Sequence, residues 1–233
     1  MQCNICDGTK FLDFNGRVGI MCVSCKSVER TRLVWMYIER LGLHRDSRIL
    51  HLAPERGIYD KLTKLVAPGN YDVRDIDPAK YPFAKGIRPL DLCKLEALES
   101  NSYDLILHVH VLEHVPCNIA YPLYHLHRAL KPGGTHLFLV PFMGGKYDEC
   151  FQDIGDAERR RRFGQEDHVR RFGVVDVAEH LGKLVELNAK FDAEADLGAA
   201  LLERYNVPRN AWKGLSPHTP ISLKKDQMLF LAS

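Results

Sequence analysis

The period of the apolar positions changes several times along the chain, and each change predicts an element. Between residues 28 and 43, Leu33, Val34, Met36, Tyr37, Ile38 and Leu41 recur at helical spacing, with Gly42 placed as a C-cap. The stretches 48–52 and 71–76 then read as strands flanking a helical stretch at 59–66. The rhythm repeats with strands at 87–90, 103–109 and 135–141 and a helix at 122–130. Strands alternating with helices predict an α/β fold, a doubly wound, mostly parallel sheet with helices on both faces. In such a sheet a ligand lies beyond the carboxyl ends of the strands, so the residues that follow each strand matter most. Further on, 176–184 reads as a helix, and 226–231, with Met228, Phe230 and Leu231 apolar, reads as a last, antiparallel strand closing the sheet.

The first 27 residues follow a different pattern. Cys3 and Cys6 form one Cys-x2-Cys pair and Cys22 and Cys25 a second, with short alternating apolar stretches between them that predict a hairpin. Two thiolates on one tight turn reach the same ion, and two such pairs make a four-ligand shell for a structural Zn2+. The chain therefore divides into a zinc-binding module at 1–27, a linking helix at 28–45 and a main domain at 46–233. Seven cysteines, an odd number, fit a disulfide framework poorly. Cys93, Cys117 and Cys150 stand apart and read as buried or tolerated thiols. With 32 basic against 30 acidic residues, the whole surface carries no electrostatic footprint for nucleic acid, and any such partner needs a local patch. No apolar run is long enough to span a membrane and no signal-peptide pattern opens the chain, so a cytoplasmic location is expected.

The strand ends carry an ordered set of polar residues. Ala53-Pro54-Glu55-Arg56-Gly57 follows the first strand of the main domain, Asp75-Ile76-Asp77-Pro78 the second, Asp91-Leu92 the third, and His108 to His114 the fourth. An acid at the end of the second strand accepts hydrogen bonds from both hydroxyls of a ribose, which makes Asp75 the first cofactor candidate. Asp-x-Asp-Pro is also good turn chemistry.

The stretch Tyr103-Asp104-Leu105-Ile106-Leu107-His108-Val109-His110-Val111-Leu112-Glu113-His114-Val115, followed by Leu126-His127-Arg128-Ala129-Leu130-Lys131-Pro132-Gly133-Gly134, resembles the type 11 group of S-adenosylmethionine-dependent methyltransferases. The resemblance covers roughly residues 46–185. It implies a Rossmann-like domain that binds S-adenosylmethionine through Ala53, Glu55, Gly57, Asp75, Ile76, Asp91, Leu92 and the backbone of His108. Asp91 is there implied to meet the adenine amino group, with Leu92 as its apolar wall, although Asp91 also reads as a helix N-cap. The chain departs from the group in its first turn, where the usual glycine run is reduced to Gly57. Pro54 removes an N–H there, and Glu55 offers a carboxylate to the ammonium group of the cofactor. A domain that has lost its cofactor is the alternative.

Methyl transfer is an in-line displacement, so the protein must place the nucleophile and, where that group is protonated, remove a proton. His110, His114 and His168 are the candidates for that base. The basic run Arg159 to Arg162, with Arg170 and Arg171, reads either as a solvated face or as a patch for an anionic substrate. The leading expectation is transfer to an O or N of a small-molecule acceptor, a natural-product or glycan intermediate. An RNA methyltransferase gripping its substrate through the zinc module comes second, because the first 48 residues hold only eight Lys or Arg against five Asp or Glu. A non-catalytic binding protein with the same fold comes third. Residues 186–225, with Tyr205, Trp212, Pro217 and His218, carry no assignable pattern.

Overall fold

The computed structural model describes residues 1–229. Strands β1 (Phe11–Phe14) and β2 (Arg17–Cys22) form the expected hairpin between the two cysteine pairs. Helix α1 (Glu29–Glu39) follows, ending one turn before Gly42. The main domain then runs β3 (Ile49–Leu52), α2 (Arg56–Leu65), β4 (Tyr71–Asp75), β5 (Arg88–Pro89), β6 (Tyr103–Val109), α3 (Ala120–Ala129) and β7 (Leu130–Leu139). Strands β8 (Phe142–Met143), β9 (Asp148–Glu149) and β10 (Arg170–Gly173) make a small second sheet around α4 (Asp156–Phe163). Helices α5 (Leu181–Leu184), α6 (Ala193–Leu197) and α7 (Ala199–Arg204) lead to a last strand, β11 (Ile221–Lys224).

The main sheet has the order β11-β7-β6-β3-β4-β5, parallel throughout except for β11, which pairs antiparallel with β7. This is the expected doubly wound α/β architecture. The chain winds outward from β3 to β4 and β5, then returns to the other side of β3 as β6 and β7. The strand order therefore reverses between β3 and β6, and that switch point opens a crevice at their carboxyl ends.

Alternation along the central strands divides the core into two. Leu50, Leu52, Ile106 and Phe138 pack with Leu123 and Leu126 of α3 on one face. Ile49, Leu105, Leu107, Leu137 and Leu139 pack on the other with Val34 and Ile38 of α1 and Ile58 and Leu62 of α2. Cys3, Ile5 and Cys22 belong to this second cluster, so the N-terminal hairpin shares the core of the sheet. The contact is close at Gly57, where an added Cβ would stand 2.9 Å from Cγ2 of Ile5.

Two expectations need correction. The closing antiparallel strand lies at Ile221–Lys224, where Ile221 and Leu223 face the core, and the described part of the expected strand, 226–229, is not part of it. Lys225–Gln227 forms a single 3-10 turn, Met228 makes only an isolated bridge to Val185, and Phe230 and Leu231 lie outside the described residues. The helix at 176–184 shrinks to Leu181–Leu184, because the Asp176 carboxylate accepts the Tyr147 N–H at 2.7 Å and holds its own segment as a turn.

Residues 186–225 fold back across α1. Phe191, Leu202, Val207 and Trp212 form a third apolar cluster with Leu33 and Met36 of α1. Among the described residues no helix is long and apolar enough to cross a membrane.

Candidate functional site

A cavity of about 420 Å3 opens at the switch point. Leu52 and Ala53 after β3, Asp75 and Ile76 after β4, Asp91 and Leu92 after β5, and His110, Val111 and His114 after β6 line it, with Asp167 from the loop before β10. Its volume falls within the ordinary range for small-molecule and cofactor sites. Of the residues expected from the sequence, it gathers Ala53, Asp75, Ile76, Asp91, Leu92, His110 and His114.

Two of these hold unusual backbone. Ala53 has φ +48° and His110 has φ +55°, both in the left-handed region that disfavours side chains with a Cβ. Ala53 donates its N–H to the Arg74 carbonyl at 2.9 Å, and His110 donates its own to Leu139 at 3.0 Å, so each strained turn is pinned to the neighbouring strand. Backbone strain of this kind is tolerated where surrounding structure over-determines it, and it gathers at ligand clamps. Ala53 thus keeps the conformation of a glycine turn without the glycine.

The two carboxylates take up turn roles with part of their capacity. Asp75 Oδ1 accepts from the Asp77 N–H at 2.7 Å, and Asp91 Oδ1 accepts from the Cys93 N–H at 2.9 Å. A carboxylate has about four lone-pair sites, so each retains room for a ligand. Tyr81, also lining the cavity, has its hydroxyl pKa raised by burial and by the Asp75 carboxylate.

The histidines differ sharply. His110 Nε2 lies 2.8 Å from the Pro217 carbonyl, and burial, followed by the Arg30 charge, pushes its pKa down to about 3. His114 is partly exposed, and its Nδ1 faces both the carbonyl and the carboxylate of Asp167, at 3.2 and 3.3 Å. His168 lies off the cavity lining, buried, with Nδ1 at 3.0 Å from the Phe163 carbonyl and its ring edge-on to His114. His108 is also off the lining. It sits between sheet and α3 in a buried chain, with His136 Nε2 3.0 Å from His108 Nε2 and His136 Nδ1 3.1 Å from His127 Nε2.

Glu55 and Gly57 stand outside the lining as well. The Glu55 carboxylate is 3.4 Å from Arg30 Nε and 3.3 Å from the Thr31 hydroxyl, which turns it toward α1. Gly57 instead gives the close contact with Ile5. The basic run is largely spent internally. Arg160 pairs with Glu166, Arg161 with Glu158 and Arg162 with Asp148, while Arg159 and Arg171 donate to backbone carbonyls. Arg170 is fully buried and donates to the carbonyls of Leu112 and Cys117 at 2.8 and 2.6 Å.

The four N-terminal cysteines place one sulfur each within 4.8 Å of all the others. Cys3 and Cys25 Sγ are 3.6 Å apart, and Cys6 and Cys22 Sγ 3.5 Å. Thiolates about 2.3 Å from a tetrahedral zinc stand ~3.8 Å from one another, so the donor set fits that ion. The Ser27 hydroxyl meets Cys3 and Cys25 Sγ at 3.1 and 3.0 Å. The buried Arg32 guanidinium lies in the field of Cys3, Cys22 and Cys25 and donates to the carbonyls of Ser27, Tyr205 and Asn206.

Sequence reasoning missed Tyr81, Val111 and Asp167 as lining residues and Pro217 as the partner of His110. Asp167 adjoins His168 in a segment already singled out, so its signal was present. Pro217 carried none, because its role depends on a fold-back of the chain.

Residues 61–138 match the family model of the methyltransferase domain, a stretch running from α2 into β7 that includes Asp75, Asp91 and the His108 to His114 turn. The resemblance to S-adenosylmethionine-dependent methyltransferases is thereby borne out. Among solved structures, the chain is similar to the YcgJ protein from Bacillus subtilis, at 13% identity over 76% of this chain and 79% of that one, with a TM-score of 0.46. It is similar to an S-adenosylmethionine-dependent methyltransferase from Mesorhizobium loti at 20% identity, over 52% of this chain and 60% of that one, with a TM-score of 0.41. A phosphoethanolamine N-methyltransferase from Haemonchus contortus aligns at 16% identity over 63% of this chain and 34% of that one, with a TM-score of 0.40. The chain spans less than half the length of several further matched structures. A search of curated proteins gives no match.

Proposed function

We propose that this chain is an S-adenosylmethionine-dependent methyltransferase that acts on an oxygen or nitrogen of a small-molecule acceptor. The observation that carries the reading is the cavity at the switch point, with Asp75 at the end of β4 and the left-handed turns of Ala53 and His110 on its walls. Asp75 would accept from the ribose hydroxyls, Ile76 would cover the nucleoside, and Asp91 with Leu92 would receive the adenine. The turn at Ala53 would let the methionine end approach the backbone. When bound, S-adenosylmethionine supplies an electrophilic methyl group on sulfur.

The remaining work falls to the His110–His114 end. His110, held by Pro217 and kept neutral by burial, is a weak base and shapes the wall. His114 presents its ring to the cavity with Nδ1 oriented by Asp167, which leaves Nε2 to take a proton from the acceptor. Glu55 positions Arg30 and is not assigned to the ammonium group. Arg160, Arg161 and Arg162 each pair with a carboxylate, which favours a small acceptor over an anionic polymer such as RNA. We assign residues 1–27 a structural Zn2+, because four thiolates fill its shell and leave no position for substrate. The division into 1–27, 28–45 and 46–233 is retained as a proposal about sequence modules that share one core.

Calorimetric titration with S-adenosylmethionine tests the reading. Binding by the native chain, weakened roughly tenfold or more in Asp75→Ala, is the expected result, since a hydrogen bond to a charged group contributes about 1.5–3 kcal/mol. No binding by the folded native chain overturns it in favour of a non-catalytic protein of the same fold.

A further inference from the structure

Among the described residues, Cys, His and acidic side chains converge at metal-ligand distance in two places, and only one is the four-cysteine cluster. The other is formed by Glu113, His114 and His168, one ligand atom of each lying within 4.8 Å of the other two. We propose that these three residues bind a second divalent transition-metal ion, distinct from the zinc of the cysteine cluster and open to the cavity.

Three observations support it. Glu113 is fully buried, and neither of its carboxylate oxygens has a hydrogen-bond partner. A buried carboxylate without a partner carries a desolvation cost, which a bound cation would offset. His110 Nδ1, at 3.7 Å from Oε1, is too distant to answer it by hydrogen bonding.

Both histidines are also arranged as ligands. His168 Nδ1 faces the Phe163 carbonyl at 3.0 Å, and His114 Nδ1 faces the Asp167 carbonyl and carboxylate. A ring whose Nδ1–H donates to an oxygen keeps its Nε2 lone pair free, and metal-bound histidines are held in this way. The donor set is two imidazoles and one carboxylate, which suits Zn2+, Fe2+, Co2+ or Mn2+ and leaves coordination positions vacant.

Thirdly, the cluster is braced. The Glu113 carbonyl accepts the Val169 N–H at 2.8 Å, and Arg170 donates to the Leu112 carbonyl, so the turn bearing Glu113 and His114 and the segment bearing His168 are locked together. Arg30 and Arg170 place positive charge near Glu113, against which Asp167 sets a negative one. Arg30 is itself 3.4 Å from Glu55, and Arg170 3.5 Å from Glu149, so both cations have other carboxylates to answer them.

His114 and Asp167 line the cavity, so an ion here faces it. On the proposed methyltransferase reading, the ion binds the oxygen of a hydroxyl-bearing acceptor and lowers its pKa, and His114 then serves as a ligand in place of a base. Metal binding itself does not depend on that reading.

The test uses the full chain with its cysteine cluster first filled by one equivalent of zinc. Cobalt(II) is then titrated, followed by visible absorption and by metal content after gel filtration. The native chain should retain about one further equivalent with an absorption free of thiolate bands, and Glu113→Gln and His114→Ala should each bind it about tenfold or more weakly while keeping their zinc. No cobalt beyond the cysteine cluster in the native chain, or equal cobalt binding in both folded variants, overturns the proposal. Cobalt-induced shifts of the His114 and His168 ring protons in the native chain give the same answer without substitution, and their absence counts against it. S-adenosylmethionine binding is measured on the zinc-only sample, so a failed methyltransferase reading shows as missing cofactor binding and a failed metal site as missing cobalt.

Discussion

His110 Nε2 lies 2.8 Å from the carbonyl oxygen of Pro217, 107 residues further along the chain. The bond joins the end of β6, inside the sheet, to a loop that reaches the site only after crossing α1. The same loop brings His218 Nδ1 to 3.4 Å from the buried Glu29, at the start of that helix, which also pairs with Arg17 of β2. One wall of the cavity is therefore coupled to the N-terminal hairpin through the C-terminal segment.

The left-handed turn at Ala53 predicts opposite effects from two small changes. Ala53→Gly relieves the positive φ and should leave stability unchanged or raise it by up to about 1 kcal/mol. Ala53→Val places a β-branched residue there and should cost at least about 1–2 kcal/mol and weaken S-adenosylmethionine binding. Urea denaturation and calorimetry on both variants provide the check, and equal behaviour of the two would refute a strained turn.

Within the arginine-rich region, burial separates structural from dispensable residues. Arg170→Ala leaves the carbonyls of Leu112 and Cys117 without their donor in the interior and should cost at least about 1–3 kcal/mol. Arg161→Ala removes an exposed pair with Glu158 and should stay within about 0.5 kcal/mol of the native protein. Thermal melts of the two variants should differ widely.

Acid should unfold this protein early. Burial lowers the pKa of His51 and of His108 to about 3 and that of His127 to about 4, and it drives His136 well below its ordinary value. A depressed folded-state pKa means that the unfolded chain binds the proton first. The stability these residues contribute is complete above about pH 6.5 and falls as pH drops from there toward 3 or 4. His136→Gln, which carries no titrating ring, should flatten the loss of stability over that window, as read by denaturant midpoints at several pH values.

If the four cysteines hold the proposed Zn2+, removing it should disturb more than the hairpin. Cys3, Ile5 and Cys22 pack in one cluster with Trp35 of α1, so a strong chelator should shift the emission of that indole as well as release the N-terminus. Trp212 lies in a different cluster, and a Trp212→Phe background isolates the Trp35 signal. An unchanged Trp35 spectrum after complete metal removal would show that the core does not rely on the ion.

The alternation of strands and helices, the hairpin between two cysteine pairs and the acids at the ends of β4 and β5 are all legible in the order of residues. Those features are local. A period of two or 3.6, a Cys-x2-Cys turn and a polar residue after an apolar run are each set by neighbours a few positions apart. Which side chains meet is settled by the packing of distant segments. Glu55 turns to Arg30, His108 joins His136 behind the sheet, His110 finds Pro217, and Glu113 comes within 4.8 Å of His114 and His168 without a hydrogen bond for either oxygen. Each of these outcomes depends on packing between segments tens of residues apart, where the burial of apolar faces fixes the approach and side-chain polar groups take the partners that remain.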